Sequence, residues 1–134
     1  MTESLKSLQG HVLIVDDDDL IADFYEIVME IGQLDFKLAG TLDEAREVFQ
    51  TQLAAGRVFS ALIMDLCLSG PYCSPLPWIK EVKTTSPGLQ VLIVTGAPHL
   101  IHKDPLFDEV VDMLLPKPIK PSVLLSALGS SGAP

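Results

Sequence analysis

Short, unbroken aliphatic runs alternate along the chain with segments whose apolar residues recur every three or four positions. Unbroken runs are typical of parallel strands buried on both faces, whereas the spaced pattern is typical of amphipathic helices. The alternation therefore predicts α/β units with a parallel sheet. The predicted strands are VLIV at 12–15, DFKLAG at 35–40, FSALIM at 59–64, QVLIV at 90–94 and VVDMLL at 110–115.

The first predicted helix follows the first strand and ends at Gly32, since glycine is favoured just after a helix. In the second helix, Thr41 as N-cap and Glu44 three residues later form a capping-box pattern. A loop rich in Pro, Gly and Ser at 69–77 leads into a third helix at about 76–85, where Trp78 is expected to pack. The apolar face of the first helix is predicted to comprise Leu20, Ile21, Phe24, Ile27, Val28 and Ile31.

The fourth helix is expected to be short, because Pro98 and Pro105 interrupt the segment that should form it. Pro105 suits a first helical position with Asp104 as N-cap, so residues 97–103 are predicted to be an irregular loop. A last short helix is predicted at 121–128.

The 134 residues match the size of one domain, and a hydrophobic content of 48 % is sufficient for a core. We expect a lead-in at 1–10, one domain at 11–128, and a flexible tail or linker stub at 129–134. Five strands with crossover helices predict a flavodoxin-like, doubly wound sheet in the order 2-1-3-4-5, with helices on both faces.

The net charge of −9 and the lack of a basic patch argue against binding to nucleic acid or anionic membranes. No segment resembles a signal peptide or a membrane span, so a cytoplasmic location is predicted. In such a chain, Cys67 and Cys73 are expected to be two free thiols rather than a disulfide. His11, His99 and His102 share no ligand spacing with a carboxylate and are predicted to lie on the surface.

Polar side chains collect where the predicted strands end, since the run HVLIVDDDDL passes directly from aliphatic residues into four aspartates. A single aspartate after a strand is usually a turn or helix cap, and Asp18 and Asp19 fit that role. The carboxyl ends of parallel strands meet at one edge, and strands one and three are neighbours in the predicted order. The residues expected in this crevice are Asp16, Asp17, Asp65, Thr95 and Lys117.

Three carboxylates beside one ammonium group favour a hard divalent cation, and Mg²⁺ suits them because it binds one or two carboxylates and keeps several waters. Carboxylates, a metal, a hydroxyl donor and a lysine around one point are the components of a phosphoryl-transfer site. Aspartate carboxylates also act as nucleophiles towards phosphorus.

Four motifs in order, VLIVDDD, ALIMDL, VLIVTGA and LLPKPI, make the chain resemble the response regulator receiver domain of two-component signalling systems. The resemblance covers roughly residues 10–128, and the lead-in LQGHVLIVDD is similar to that of a receiver in a hybrid histidine kinase.

The resemblance implies that Asp65 is the phospho-acceptor. It also implies that Mg²⁺ is held by Asp17 directly, by Asp16 partly through water, by Asp65, and by the backbone carbonyl of Cys67. Around the phosphoryl group, the resemblance implies a hydrogen bond from Thr95, an ion pair with Lys117, a small residue at Gly96 and a cis peptide bond at Pro118.

The partners implied by the resemblance are a histidine kinase or a histidine phosphotransfer domain, and a homodimer is compatible with it. Such a domain is a signalling phospho-acceptor that promotes only its own phosphorylation and dephosphorylation, rather than an enzyme. Ser69 replaces the family's usual proline, which affects the chemistry little. Leu114 occupies the switch position where the family usually has an aromatic residue, so the interrupted fourth helix and Leu114 alter the expected output surface.

Two other functions fit part of the pattern. A haloacid-dehalogenase-type phosphatase would use Asp16 as nucleophile and Asp18 as acid, but no acidic pair follows Lys117 to hold its metal. A non-phosphorylated, pseudo-receiver interaction module is the other, and the complete set of five polar residues argues against it.

Overall fold

The structure, a computed structural model, describes residues 11–65, 75–96 and 105–132. Strands and helices alternate through these ranges, as the hydrophobic pattern predicts. The strands are β1 (His11–Val15), β2 (Asp35–Ala39), β3 (Ala61–Asp65), β4 (Gln90–Thr95) and β5 (Met113–Pro116). The helices are α1 (Asp19–Gly32), α2 (Leu42–Ala54), α3 (Leu76–Thr85), α4 (Pro105–Val110) and α5 (Pro121–Gly132).

The five strands form one parallel sheet in the order β2-β1-β3-β4-β5, which confirms the predicted fold class. β3 lies at the centre, and β2 and β5 form the edges. The order places the ends of β1 and β3 side by side, as expected for a flavodoxin-like switch point.

Two hydrophobic layers cover the sheet, one on each face. Alternate residues of β1 belong to different layers, with Leu13 and Val15 in one and Val12 and Ile14 in the other. The helices α2, α3 and α4 contribute to the first layer, whereas α1 and α5 contribute to the second. Trp78 is buried in the first layer and contacts Phe49 edge-to-face at 6.2 Å, so its predicted packing role is confirmed.

The start of α2 is fixed by reciprocal side-chain hydrogen bonds. The N–H of Glu44 donates to Thr41 Oγ1 at 3.1 Å, as the capping-box pattern predicts. The Glu44 carboxylate accepts from the N–H of Gly40 at 2.6 Å, one residue before the N-cap. The N–H groups of Glu44, in the first turn of α2, and of Gly40, before the helix, therefore both have hydrogen-bond acceptors.

The buried face of α1 differs from the predicted one. Tyr25 and Met29 are fully buried together with Val28, whereas Ile27 and Ile31 are 58 % and 62 % exposed. Apolar residues occur around most of this helix, so helical periodicity alone is compatible with two adjacent faces. Only contact with β2 and α5 distinguishes them.

The boundaries of β5 and α5 also differ from the predicted ones. Val110 is the last residue of α4 and packs into the core from there, and β5 begins only at Met113. A short apolar run cannot by itself separate a helix end from a strand. At the other end, α5 continues to Gly132, beyond the predicted limit at residue 128.

The predicted short fourth helix is confirmed, since α4 has six residues and begins at Pro105. Asp104 and the predicted loop 97–103 lie outside the described residues, as do His99 and His102. His11 is partly buried rather than on the surface, because its ring stacks on Phe59 at 4.2 Å. None of the helices in the described ranges combines the length and the apolar character needed to cross a membrane.

Asp112 explains where β5 begins. Its Oδ2 accepts hydrogen bonds from the N–H of Val91 at 2.7 Å and from Lys83 Nζ at 2.9 Å. Its own N–H donates to the Val91 carbonyl at 2.9 Å. The side chain therefore takes the acceptor position that a strand residue would supply to the buried start of β4.

We predict that Asp112→Ala lowers the free energy of unfolding by about 1–3 kcal/mol, because it leaves a buried N–H without this acceptor. Asp112→Asn keeps an amide oxygen for Val91 and loses only the partly exposed ion pair with Lys83, so it should cost less than about 1 kcal/mol. Urea unfolding of the three proteins measures both changes. Equal losses in the two variants would show that the ion pair, not the backbone hydrogen bond, matters.

Candidate functional site

Strand register brings Asp16 and Asp65 together. Val15 pairs with Met64, so the next residues, Asp16 and Asp65, lie side by side at the carboxyl ends of β1 and β3. The N–H of Asp16 donates to the Ala39 carbonyl at 2.9 Å, which continues the pairing of β1 with β2. Both carboxylates are therefore positioned by the sheet rather than by a loop.

Lys117 reaches the same point from the end of β5. Its backbone N–H donates to the Thr95 carbonyl at 2.8 Å, which continues the pairing of β4 with β5. Its Nζ lies 3.1 Å from Asp65 Oδ2, so the side chain extends across the end of β4. The peptide bond from Lys117 to Pro118 is cis.

Three carboxylates form a compact group, which we call the carboxylate cluster: Asp16, Asp17 and Asp65. Each offers an oxygen atom, and these atoms lie within 4.8 Å of one another. Asp16 and Asp65 are 4 % and 3 % exposed, whereas Asp17 is open to solvent. The cluster therefore combines two buried carboxylates with one at the surface.

Asp16 is the electrostatically strained member of the cluster. Its pKa is raised to about 6, mainly by burial and further by the neighbouring Asp65 carboxylate, although the Asp18 N–H and Lys117 lower it. Asp16 Oδ1 accepts from the Asp18 N–H at 3.0 Å, whereas Oδ2 is buried and has no hydrogen-bond donor among the described residues. A buried carboxylate oxygen without a donor is costly unless a cation or water contacts it.

The donor set fits a divalent cation that prefers oxygen ligands. Hard cations such as Mg²⁺ bind one or two carboxylates and retain several waters. The orphaned Asp16 oxygen and the nearby oxygens of Asp17 and Asp65 provide such ligands at one place. Cys67, whose carbonyl the resemblance implies as a further ligand, lies outside the described residues.

The other expected site residues lie around the cluster at the same edge of the sheet. Thr95 is the last residue of β4 and is buried, and it follows the residue that pairs with Asp65. Gly96 comes next and is exposed, and a Cβ added there would meet no described atom within 4 Å. Within the described part of the chain, no atom therefore occupies the space that a side chain at Gly96 would fill.

Tyr25 is a neighbour of the site that the sequence pattern did not identify. It lies on the buried face of α1, and burial raises the pKa of its hydroxyl above the usual range, with further contributions from Asp16 and Asp65. The hydroxyl therefore stays protonated beside the two buried carboxylates. The sequence could have indicated this role only through the presence of a tyrosine on α1. The many aliphatic residues of the helix made its apolar face ambiguous, so Tyr25 was not predicted to be buried.

The model of the response regulator receiver domain family matches residues 12–129. The chain belongs to this family. The receiver family is a signalling module of two-component systems, and the acidic edge described above is the corresponding pocket. A comparison with curated protein sequences found no match.

Solved receiver structures share the fold at low sequence identity. A receiver domain protein from Clostridium thermocellum is 22 % identical, with a TM-score of 0.75 over 91 % of this chain and 93 % of that one. A CheY-like receiver domain protein from Methanospirillum hungatei is 20 % identical, with a TM-score of 0.70 over 92 % and 96 %. The response regulator TrrA from Thermotoga maritima, solved in complex with Mg²⁺–BeF, is 17 % identical, with a TM-score of 0.73 over 91 % and 98 %.

The haloacid-dehalogenase-type hypothesis finds no support in these comparisons. Asp18, its expected acid, is exposed, and its carbonyl accepts from the N–H of Ile21 at 3.1 Å at the start of α1. This contact accords with the interpretation of Asp18 as part of a turn before the helix.

The raised pKa of Asp16 predicts a pH dependence of stability in the absence of metal. Between its ordinary pKa of 3.8 and the folded value of about 6, the folded protein binds more protons than the unfolded chain. The contribution of Asp16 to the free energy of unfolding should therefore fall as the pH rises from about 4 to about 6. Asp16→Asn removes this loss, so the variant should be more stable than wild type at pH 7, by an amount on the order of 1–3 kcal/mol.

Urea unfolding in EDTA from pH 4 to pH 7 measures the difference between the two proteins, which cancels the titration of groups that do not interact with Asp16. Asp23→Asn, at an exposed position of α1, is the matched control and should follow wild type. A constant difference between Asp16→Asn and wild type across this range would contradict the assignment.

Proposed function

We propose that this receiver domain accepts a phosphoryl group on Asp65 from a phosphohistidine of a sensor kinase or histidine phosphotransfer domain, with Mg²⁺ as cofactor. The observation that carries the proposal is the setting of Asp65. This carboxylate ends the central strand, is 3 % exposed, pairs with Lys117 at 3.1 Å and shares the carboxylate cluster with Asp16 and Asp17.

The proposed step is a displacement at phosphorus. A carboxylate oxygen of Asp65 forms a bond to phosphorus while the bond from phosphorus to the donor's histidine nitrogen breaks, and the electron pair returns to that nitrogen. The product is an acyl phosphate on Asp65. The carboxylate is already held by β3, so little reorganisation is needed to present it.

Lys117 and Thr95 are the proposed partners of the phosphoryl oxygens. The Lys117 ammonium is close enough to Asp65 to pair with a group bound there, since the ion pair already joins their side chains. Thr95 offers a hydroxyl at the end of the adjacent strand. The lack of any described atom within 4 Å of a Cβ at Gly96 supports the proposal, because a small residue there would admit a phosphoryl group and attacking water.

Asp16, Asp17 and Asp65 are the proposed metal ligands in the described part of the chain. A bound Mg²⁺ supplies positive charge that offsets the negative charge of the phosphoryl oxygens. The Mg²⁺–BeF complex of the Thermotoga maritima regulator supports this proposal by family likeness. In this chain, the charge of such a cation would also stabilise the buried Asp16 oxygen, for which the described residues supply no donor.

The proposed role is signalling inside the cell rather than catalytic turnover. The phosphoryl group would change the surface that partners contact, and the domain would promote only its own phosphorylation and dephosphorylation. Leu114, the proposed switch position, pairs with Ile93 and packs against the first layer with Phe107. Because Leu114 has no ring or hydroxyl to relocate, any movement there would differ from that of relatives with an aromatic residue.

We predict that millimolar Mg²⁺ raises the melting temperature of the wild-type protein. A ligand that binds only the folded state adds about 2.7 kcal/mol to the free energy of unfolding at a concentration a hundredfold above its Kd. Asp17→Asn should remove most of this shift, since it deletes an exposed ligand without changing the core. Asp23→Asn should retain it, and an unchanged melting temperature of the wild type on adding Mg²⁺ would refute the metal site.

Phosphorylation should occur on Asp65. Incubation with acetyl phosphate and Mg²⁺ should add the mass of one phosphoryl group to the wild-type protein, and omission of Mg²⁺ should reduce the yield strongly. Asp65→Asn should abolish the added mass, because an amide oxygen is a poor nucleophile. Mass spectrometry of the intact protein gives the result directly.

Two other outcomes would assign different functions. Uptake by Asp65→Asn together with loss in Asp16→Asn would favour the phosphatase with Asp16 as nucleophile. Failure of the wild type to take up phosphate from either acetyl phosphate or a phosphohistidine donor would favour the non-phosphorylated interaction module.

A further inference from the structure

A groove of about 340 Å³ lies at the end of the sheet opposite the carboxylate cluster. Parallel strands start at one edge of the sheet and end at the other, and His11 is the first residue of β1 whereas Asp16 directly follows its last. His11 and Asp16 are five positions apart with four residues between them, and the span of roughly 16 Å places the groove outside the site described above. Its lining residues are His11, Leu34, Asp35, Phe36, Lys37 and Arg57.

Basic groups outnumber acidic ones in this groove, although the chain as a whole carries a net charge of −9. Lys37 and Arg57 are both exposed, and neither forms an ion pair with another residue in the part of the chain that the structure describes. Asp35 is the single acidic residue among the lining side chains. The charges of the carboxylate cluster lie beyond the Debye length of about 8 Å, so they oppose this local excess only weakly.

His11 gives the groove a rigid wall. Its ring stacks on the buried Phe59 at 4.2 Å with the planes 4° apart, and its carbonyl accepts hydrogen bonds from both the N–H and the Oγ of Ser60. Nε2 lies 3.2 Å from Gln52 Oε1, and because an amide oxygen only accepts, Nε2 carries the proton in this hydrogen bond. Nδ1 of the neutral ring is then the nitrogen left to be protonated.

We propose that this groove binds a small multivalent oxyanion between Lys37, Arg57 and His11. The ligand would be a small molecule or ion that carries carboxylate, sulfate or phosphate groups. Guanidinium and ammonium groups are the side chains that bind such anions, and the volume lies at the lower end of small-molecule sites. This site is independent of phosphorylation at Asp65.

Binding should be stronger at acidic pH. The pKa of His11 is lowered, because burial outweighs the raising effects of Gln52 and Asp35, and Arg57 and Lys37 lower it further. The ring is therefore largely neutral at pH 7.5, and an anion favours its protonated form. Linkage requires that the affinity for an anion of constant charge rises as the pH falls through this pKa.

Sulfate is the probe, since its charge does not change between pH 5.5 and pH 8. A titration of the full chain with sodium sulfate in EDTA, at constant ionic strength set with NaCl, is followed by amide chemical shifts. We expect saturable shifts at residues 11, 35–37 and 57. Arg57→Gln and Lys37→Gln should each weaken binding by about three- to tenfold, whereas Arg46→Gln, an exposed arginine of α2, should change it by less than about twofold.

His11→Phe tests the pH dependence while keeping a ring against Phe59. Wild-type affinity should increase from pH 8 to pH 5.5, and that of the variant should not. Shifts that do not saturate, or that centre on Thr95 and Lys117, would overturn the proposal. Equal weakening by Arg46→Gln and Arg57→Gln would also overturn it, as would retention of the full pH dependence by His11→Phe.

Discussion

The ion pair between Lys117 and Asp65 forms only because the sheet brings the ends of β3 and β5 close together. It lowers the energetic cost of burying the Asp65 carboxylate. Burying a charged carboxylate that is only 3 % exposed is costly unless a cation lies beside it, and Lys117 Nζ is 3.1 Å from Asp65 Oδ2. The two residues end β3 and follow β5, with β4 between them. Only the order and register of these three strands bring the two charges into contact.

The carboxylate cluster lowers the stability of the fold when no cation is bound, because it brings like charges together in a buried place. Asp16 is buried next to Asp65, has a raised pKa and has one carboxylate oxygen to which no described residue donates a hydrogen bond. A single lysine cannot offset three carboxylates, so the cluster has a remaining negative charge that a divalent cation would relieve. Perturbed groups of this kind concentrate at functional sites, because the arrangement that binds a ligand is unfavourable without it.

The two ends of the sheet have opposite local character. Acidic residues gather at the carboxyl ends of β1 and β3, whereas the groove is lined by His11 at the start of β1, Lys37 in the middle of β2 and Arg57 before β3. The separation of His11 from Asp16 and Asp65 follows from strand direction, because the first residues of parallel strands lie at one edge of the sheet and the last residues at the other. The core between them separates the two sites.

The receiver architecture could be predicted from local sequence. Unbroken aliphatic runs indicated the parallel strands, and the order of the acidic, hydroxyl and lysine motifs indicated the family and the residues at the sheet edge. The same local patterns did not predict the correct structure where one pattern is compatible with two structures. The run 110–115 contains both the end of α4 and the start of β5, and the apolar residues of α1 are compatible with two faces.

The sequence pattern by itself was sufficient to predict which polar residues end the strands. It therefore also predicted which of them could lie together at the carboxyl edge of the sheet. Only the tertiary structure decided that Tyr25 rather than Ile27 faces the core, that Asp112 supplies a hydrogen-bond acceptor to β4, and that His11 stacks within a basic groove. These features depend on contacts between residues distant in the sequence. A repeating pattern along one segment carries no information about which neighbour lies across from it.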